Sequence, residues 1–244
     1  MLLKGAAHAR SFGTTLAGQL NAGEISGAFK TALPYLNDRN PFRLLDLVGE
    51  QIAACQADYL FSFLNQIADT RLEGVWVIIA SALFHASNIS VATALEKSRK
   101  YIKEADIWYA ADIFGERVPG PFLVRDVDQT LAILDDWRFD PNAWARRTIG
   151  VAAHFWAKRT KGSSQYVRQA QILFTFLSPV FEEQDIRAAK GIGWGLKTLG
   201  RYYPDIARDW LFEELITQQK KPRAITRRKA LTYLPDDLKA SLLP

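Results

Sequence analysis

An all-α chain of stacked helical pairs is what this sequence predicts, on three observations. Apolar residues recur at helical spacing over most of the length, strand signals are scarce, and from residue 124 onward helical segments succeed each other about every 20 residues, or about 40 per pair. Paired helices can close into a bundle or stack into an α-α superhelix, and the regular spacing favours the stack, in HEAT-like units with a concave face. No low-complexity tract and no Pro/Gly/Ser-rich linker divides the chain, so residues 1–244 are expected as one domain.

Taken in order, Asn40-Pro41 offers an N-cap side chain followed by a proline suited to the first helical position. Val75 to Ile79 is the one β-branched run that resembles a strand, but it continues as Ala80-Ser81-Ala82-Leu83-Phe84 and is expected as a buried helix. After Pro121, Val124, Val127, Leu131 and Leu134 fall at steps of three, four and three, which places them on one face expected to be buried. Asp140-Pro141 repeats the cap-proline signal ahead of a helix carrying Ile149, Ala152 and Trp156. Ser163-Ser164 introduces the next, with Ala170, Leu173, Leu177 and Phe181 on its inner face. Ile186, Ala189, Gly193, Leu196 and Leu199 mark another, and Pro204-Asp205 starts the one after. About a dozen helices of roughly 10 to 18 residues are expected.

Composition narrows the function classes. With 48% apolar residues, seven Trp and mixed charge, the chain is too hydrophobic to be disordered. Its single cysteine, Cys55, excludes a disulfide-stapled scaffold and cysteine-rich zinc modules, and points to a reducing compartment. The longest apolar stretch, Val75 to Phe84, is about half of the ~20 residues that span a bilayer. The N-terminal MLLKGAAHARSFG lacks a signal-peptide core before Arg10, so a soluble, cytoplasmic protein is expected. Charge is uneven: residues 1–136 carry 12 Lys+Arg against 16 Asp+Glu (net −4), and residues 137–244 carry 19 against 10 (net +9). A basic half suggests a polyanionic partner, nucleic acid first; ordinary solvated helix faces are the alternative.

Metal and nucleophile chemistry find no support. His8, His85 and His154 have no carboxylate or Cys at ligand spacing, and Cys55 sits among Ile52, Ala53 and Ala54, so no metal site and no cofactor are expected. The run Gly191-Ile192-Gly193-Trp194-Gly195 lacks the strand and Lys-Ser/Thr of a phosphate loop and is read as close helix packing. Three places remain. Trp108 and Asp112 are four apart on one helix face with alanines between them. Arg146 and Arg147 follow Trp144 in the first turns of a helix, where the positive dipole end disfavours cations unless an anion compensates. Trp194 is flanked by glycines, which leaves its indole unshielded by sequence neighbours.

In this order and combination the residues resemble the HEAT-like-repeat DNA alkylation repair glycosylases, the AlkD-like proteins, over about residues 70–235. Trp108 and Asp112 match the family's Trp-x-x-x-Asp element, followed by Gly120; Trp144 and Arg147 match Trp-x-x-Arg. Gly193, Trp194, Leu196 and Lys197 match Gly-Trp-x-Leu-(Arg/Lys), with Tyr203-Pro204 where the family has Asn-Pro. Arg227 to Leu231 looks like its last helix. Tyr109 stands where members often carry an acid, and the first 65 or so residues match poorly.

The resemblance implies excision of purines alkylated at N3 or N7 in double-stranded DNA, with Asp112, Trp108 and Trp194 as catalytic residues. Such bases are cationic, so tryptophan faces attract them by about 0.5–2 kcal/mol each, and a carboxylate stabilises the developing sugar cation. It further implies a lesion left stacked in the duplex, Arg147 as a phosphate anchor, and a basic groove formed with Arg146, Lys190, Lys197, Arg201, Arg227 and Arg228, indifferent to base sequence. No cofactor, no membrane and no required protein partner are implied; a monomer, nucleoid-associated when bound to DNA, is expected. Two alternatives remain: a non-catalytic binder of damaged or branched DNA on the same scaffold, and a HEAT-type protein-interaction scaffold in which Trp108 and Trp194 are core.

Overall fold

The structure, a computed structural model, describes residues 1–236, 239 and 242, and among them every regular element is helical, with fourteen α-helices and no strand. Two compact units make up the chain. The first, Met1–Val118, contains α1 (Ala6–Asn21), α2 (Ile25–Leu36), α3 (Phe42–Ile52), α4 (Ala57–Asp69), α5 (Glu73–His85), α6 (Val91–Ala105) and α7 (Trp108–Arg117). The second, Pro119–Pro244, contains α8 (Pro119–Arg125), α9 (Val127–Leu134), α10 (Ala143–Thr160), α11 (Val167–Leu177), α12 (Ile186–Tyr202), α13 (Pro204–Phe212) and α14 (Ala224–Ala230).

Alternate helices stack in both units. In the first, α1, α3, α5 and α7 each pack on the next while α2 and α4 form the second layer with α6; in the second, α8, α10, α12 and α14 stack and α9, α11 and α13 cover them. This is the HEAT-like arrangement, and bonds between repeats follow its period. In the first unit Arg10 pairs with Glu50, 40 residues on, and Asn40 Oδ1 accepts from Leu3 N, 37 back. In the second, Arg147 donates to Arg187 O across 40 residues and Lys229 to Lys190 O across 39. The spacing of about 40 predicted from residue 124 onward therefore recurs in both units.

Burial explains which helices the pattern reveals. Every residue from Val75 to Leu83 on α5 is buried, so this helix shows no polar face, and the strand-like run is helical as expected. Ile149, Ala152 and Trp156 on α10, and Ala170, Leu173 and Leu177 on α11, lie in the core. Phe181 is also buried, but beyond α11 and a short 3-10 turn. Four expectations are corrected. Val124 does not share a buried face with Val127, Leu131 and Leu134: Asp126 ends one helix and caps the next through Gln129 N, and Val124 is left 38% exposed on α8. Asn40 does not cap α3; its buried amide ties Leu3 N and Tyr35 O instead. Asp140 does not cap α10 either; it accepts from Asn142 N, and Asn142 provides the cap for Trp144 N and Ala145 N. Ile186, as the first residue of α12, is exposed rather than on the inner face.

Glycines set the closest crossing. A Cβ on Gly195 would lie 2.5 Å from Gly150 O, and one on Gly191 would lie 2.5 Å from Arg147 O, so α10 and α12 meet backbone to backbone. The obstructing atoms are main-chain and cannot rotate away. Overpacking toward the upper end of the usual range, about 3 kcal/mol, then outweighs alanine's helix-propensity gain of about 1 kcal/mol. Gly195→Ala is expected to destabilise the protein by about 2 kcal/mol in urea unfolding; a variant as stable as the parent contradicts this crossing.

Candidate functional site

In the first unit the site begins with a tight turn. Asp106 closes α6 in the left-handed region (φ 47), a conformation that Asp tolerates better than most residues, and extended Ile107 leads directly into α7. Trp108 is thereby the first helical residue and is 56% exposed, its ring edge-on to Tyr109 at 5.8 Å. One turn on, Asp112 is half-buried, while Ala110, Ala111, Ile113 and Phe114 anchor α7 in the core. Phe114 stacks on Tyr101 of α6 and lies 6.3 Å from Trp76 of α5. At the far end Arg117 grips Asp46 of α3 through two bonds of 2.7 and 3.2 Å. An exposed indole and a carboxylate thus project from a helix held at both ends.

In the second unit α12 carries a stripe. Lys190, Trp194, Lys197 and Arg201 stand at i, i+4, i+7 and i+11, one face of the helix, with Ala189, Ile192, Leu196 and Leu199 buried on the other side. Lys190 and Arg201 are exposed; Lys197 is half-buried, and Arg201 and Lys197 lie 5.5 and 5.7 Å from the ring of Tyr233. From α14, Arg228 is exposed and Arg227 is half-buried, donating to Leu242 O. Lys229 holds α14 to α12 by donating to Lys190 O at 2.9 Å.

The two arginines of α10 are placed differently from the exposed cations. Arg146 forms a fork on Glu183, at 2.6 and 3.2 Å, and also donates to Asp140 O. Glu183 is the anion that compensates a cation at this helix start. Arg147 is only 8% exposed and donates to Arg187 O at 3.0 Å. Arg187, which the sequence reading passes over, is exposed at the start of α12 with its guanidinium 5.5 Å from the Trp144 ring. Asp185 caps α12 at Arg187 N, and hydrogen bonding to the Arg187 side chain is the main cause that holds its carboxyl down at about 2.

Trp194 does not stand unsupported. The His154 ring stacks on its indole, centroids 4.0 Å apart and planes 29° from parallel. Thr198 Oγ donates to Trp194 O at 3.1 Å, so its 2.7 Å contact with His154 receives the imidazole Nδ1–H. Burial of His154, with a smaller contribution from Lys158, lowers its pKa to about 4. The imidazole is therefore neutral around pH 7. His154 and Trp194 are 40 residues apart, as are Arg147 and Arg187, so the repeat period was the signal that could have paired them.

Among the described residues no group of three or more His, Cys, Asp or Glu is placed to hold a metal ion, and no helix is long and apolar enough to cross a membrane. Neither the curated proteins nor the solved structures provide a match to the chain. A family model described as DNA alkylation repair enzyme does match, over residues 76–234, a span that runs through α7, α10, α12 and α14. That match covers well over half of the 244 residues and includes the exposed Trp108 with Asp112 and the cationic stripe around Trp194, so the chain belongs to the DNA alkylation repair enzyme family.

Proposed function

We propose that this DNA alkylation repair protein is a monofunctional DNA glycosylase that hydrolyses the N-glycosidic bond of cationic N3- and N7-alkylated purines in duplex DNA. The observation that carries the reading is Trp108, more than half exposed at the first position of α7, with Asp112 one turn further on. In the reaction the C1′–N9 bond breaks and its electron pair passes to the purine, which leaves uncharged. C1′ gains oxocarbenium character, which the Asp112 carboxylate stabilises. Water adds to C1′ and gives up a proton, first to Asp112 and then to solvent. Trp108 offers an electron-rich face to the cationic base, and Trp194 offers a second aromatic surface to the DNA. Since the alkyl group supplies the leaving-group charge, neutral bases are expected to be poor substrates.

Exposure also bears on the scaffold alternative, which requires Trp108 in the core. Trp108→Ala is expected to leave thermal stability nearly unchanged, because the ring is 56% exposed, while excision falls about 2- to 30-fold, the equivalent of 0.5–2 kcal/mol of cation–π attraction. A large stability loss with unchanged excision reverses the assignment.

Duplex binding is assigned to Lys190, Lys197, Arg201 and Arg228, with Arg227 at the edge. Arg147 and Arg146 act from behind the surface, ordering the starts of α12 and α10, where Arg187, Asp185 and Asn142 sit. If each of the first four neutralises one phosphate, the logarithm of the binding constant falls with the logarithm of salt at a slope of about −3 to −4. A slope near zero removes these residues from the interface. The test of the whole reading is release of free base from methylated duplex DNA. Release of methylated purines, with undamaged DNA untouched, supports it; binding without release assigns the protein to the non-catalytic binders, and absence of binding leaves the protein-scaffold alternative.

A further inference from the structure

Trp194 interlocks with one group that the proposed chemistry does not use. Its indole lies against the ring of His154, 4.0 Å between centroids, and the imidazole is in turn fixed at 2.7 Å by Thr198, whose hydroxyl is bonded to the main chain of Trp194 itself. The three side chains form a closed loop across the α10–α12 crossing, where Gly150, Gly191 and Gly195 bring the two backbones together. His154 is 6% exposed and Trp194 is half-buried, so the imidazole covers one side of the indole while part of the Trp194 side chain stays accessible.

We propose that His154 is a positioning residue for Trp194: locked by Thr198, its ring holds the indole plane in the one orientation that presents the outer face to a cationic base. The inference deepens the glycosylase reading and rests on it. Its chemistry is a matter of charge. Stacking with a neutral imidazole leaves the negative face of the indole free to attract a cation, whereas a second cation beneath the ring would compete for the same quadrupole. A purely structural histidine needs no such pairing, since any ring filling the space would serve the core equally without affecting catalysis through Trp194.

The experiment compares His154→Ala, His154→Gln and His154→Phe with the parent in single-turnover release of 7-methylguanine from duplex DNA, alongside Trp194→Ala and the double variant His154→Ala/Trp194→Ala. His154→Phe keeps a neutral ring under the indole and is expected within about threefold of the parent rate. His154→Gln keeps a hydrogen-bonding group but no ring and, like His154→Ala, is expected to fall about tenfold. The double variant is expected to be no slower than Trp194→Ala alone, because residues that act through one another are non-additive. Additive losses, or His154→Gln folded and fully active, overturn the proposal. The second readout is the indole 15N–1H resonance of Trp194, identified by its absence from Trp194→Phe. One sharp signal in the parent and in His154→Phe that broadens or splits in His154→Gln supports the positioning role, and an unchanged signal overturns it. If the parent releases no base, the glycosylase reading fails and this resonance alone decides the role of His154.

Discussion

Asp112→Asn is expected to slow base release from methylated duplex DNA by about 100- to 1,000-fold while leaving DNA affinity within about twofold, the loss typical when a charge that acts mainly in the transition state is removed. The two side chains have nearly the same shape, so packing around α7 is unaffected. Asp112 is half-buried, and the core contacts of the helix come from Ala110, Ala111, Ile113 and Phe114. What changes is the charge that, in the proposed reaction, meets the oxocarbenium-like sugar. Because the proposed duplex contacts are cations of the second unit, the variant should still retain labelled DNA at the parent concentration, which separates catalysis from association. Should Asp112→Asn release base at the parent rate, the carboxylate is not the catalytic group and the chemistry must be sought elsewhere on the chain.

The second large effect is on stability and its dependence on pH. His154 has its pKa lowered from 6.5 to about 4, chiefly by burial and secondarily by Lys158. Between these two values the unfolded chain carries a proton on His154 and the folded chain does not. The unfolded state therefore binds more protons in this window, and folding stability rises with pH across it. Acidification from pH 6.5 to pH 4 is expected to withdraw about 3 kcal/mol, at roughly 1.4 kcal/mol per unit, and the loss levels off as pH falls below 4. Urea midpoints of the parent and of His154→Phe measured from pH 7 to pH 4 isolate the effect, since carboxylate titration is common to both. Parallel curves would show that His154 is not held neutral by the fold. In the folded parent the imidazole stays neutral across this interval, so Trp194 should keep its support until the pH falls through about 4.

Arg146, Asn40 and Val124 show where local reading reaches its limit. Helix existence follows from a one-dimensional property: apolar residues every three or four positions must face one side, so the α10 to α12 helices are legible without any partner, while α5, buried all round, is legible from the continuation of its apolar run. The repeat of about 40 residues is legible for the same reason, and so are the residues that carry the family resemblance, because Trp108 with Asp112 and Gly193 with Trp194 are neighbours in sequence. Caps are less certain. Asp140 and Asn142 are two residues apart and equally good acceptors by type; only the path of the backbone makes Asn142 the cap of α10.

By itself, then, the sequence determined an all-α stack of helical pairs, an uneven charge distribution and the identity of a Trp-x-x-x-Asp element, while the exposure of Trp108 came from the fold. The tertiary structure alone decided that Arg146 is held by Glu183, that Arg147 lies beneath the surface against Arg187 O, and that His154 stacks under Trp194. Each of these pairs joins residues 37 to 40 apart. Whether two such positions meet depends on how each helix is rotated about its axis and how closely the axes approach, and the approach of α10 to α12 is set by glycines that present no side chain of their own. Periodicity fixes a helix face to within about one residue step, or 100°, whereas a stacking contact of 4.0 Å requires the rotation and depth of two helices to agree at once.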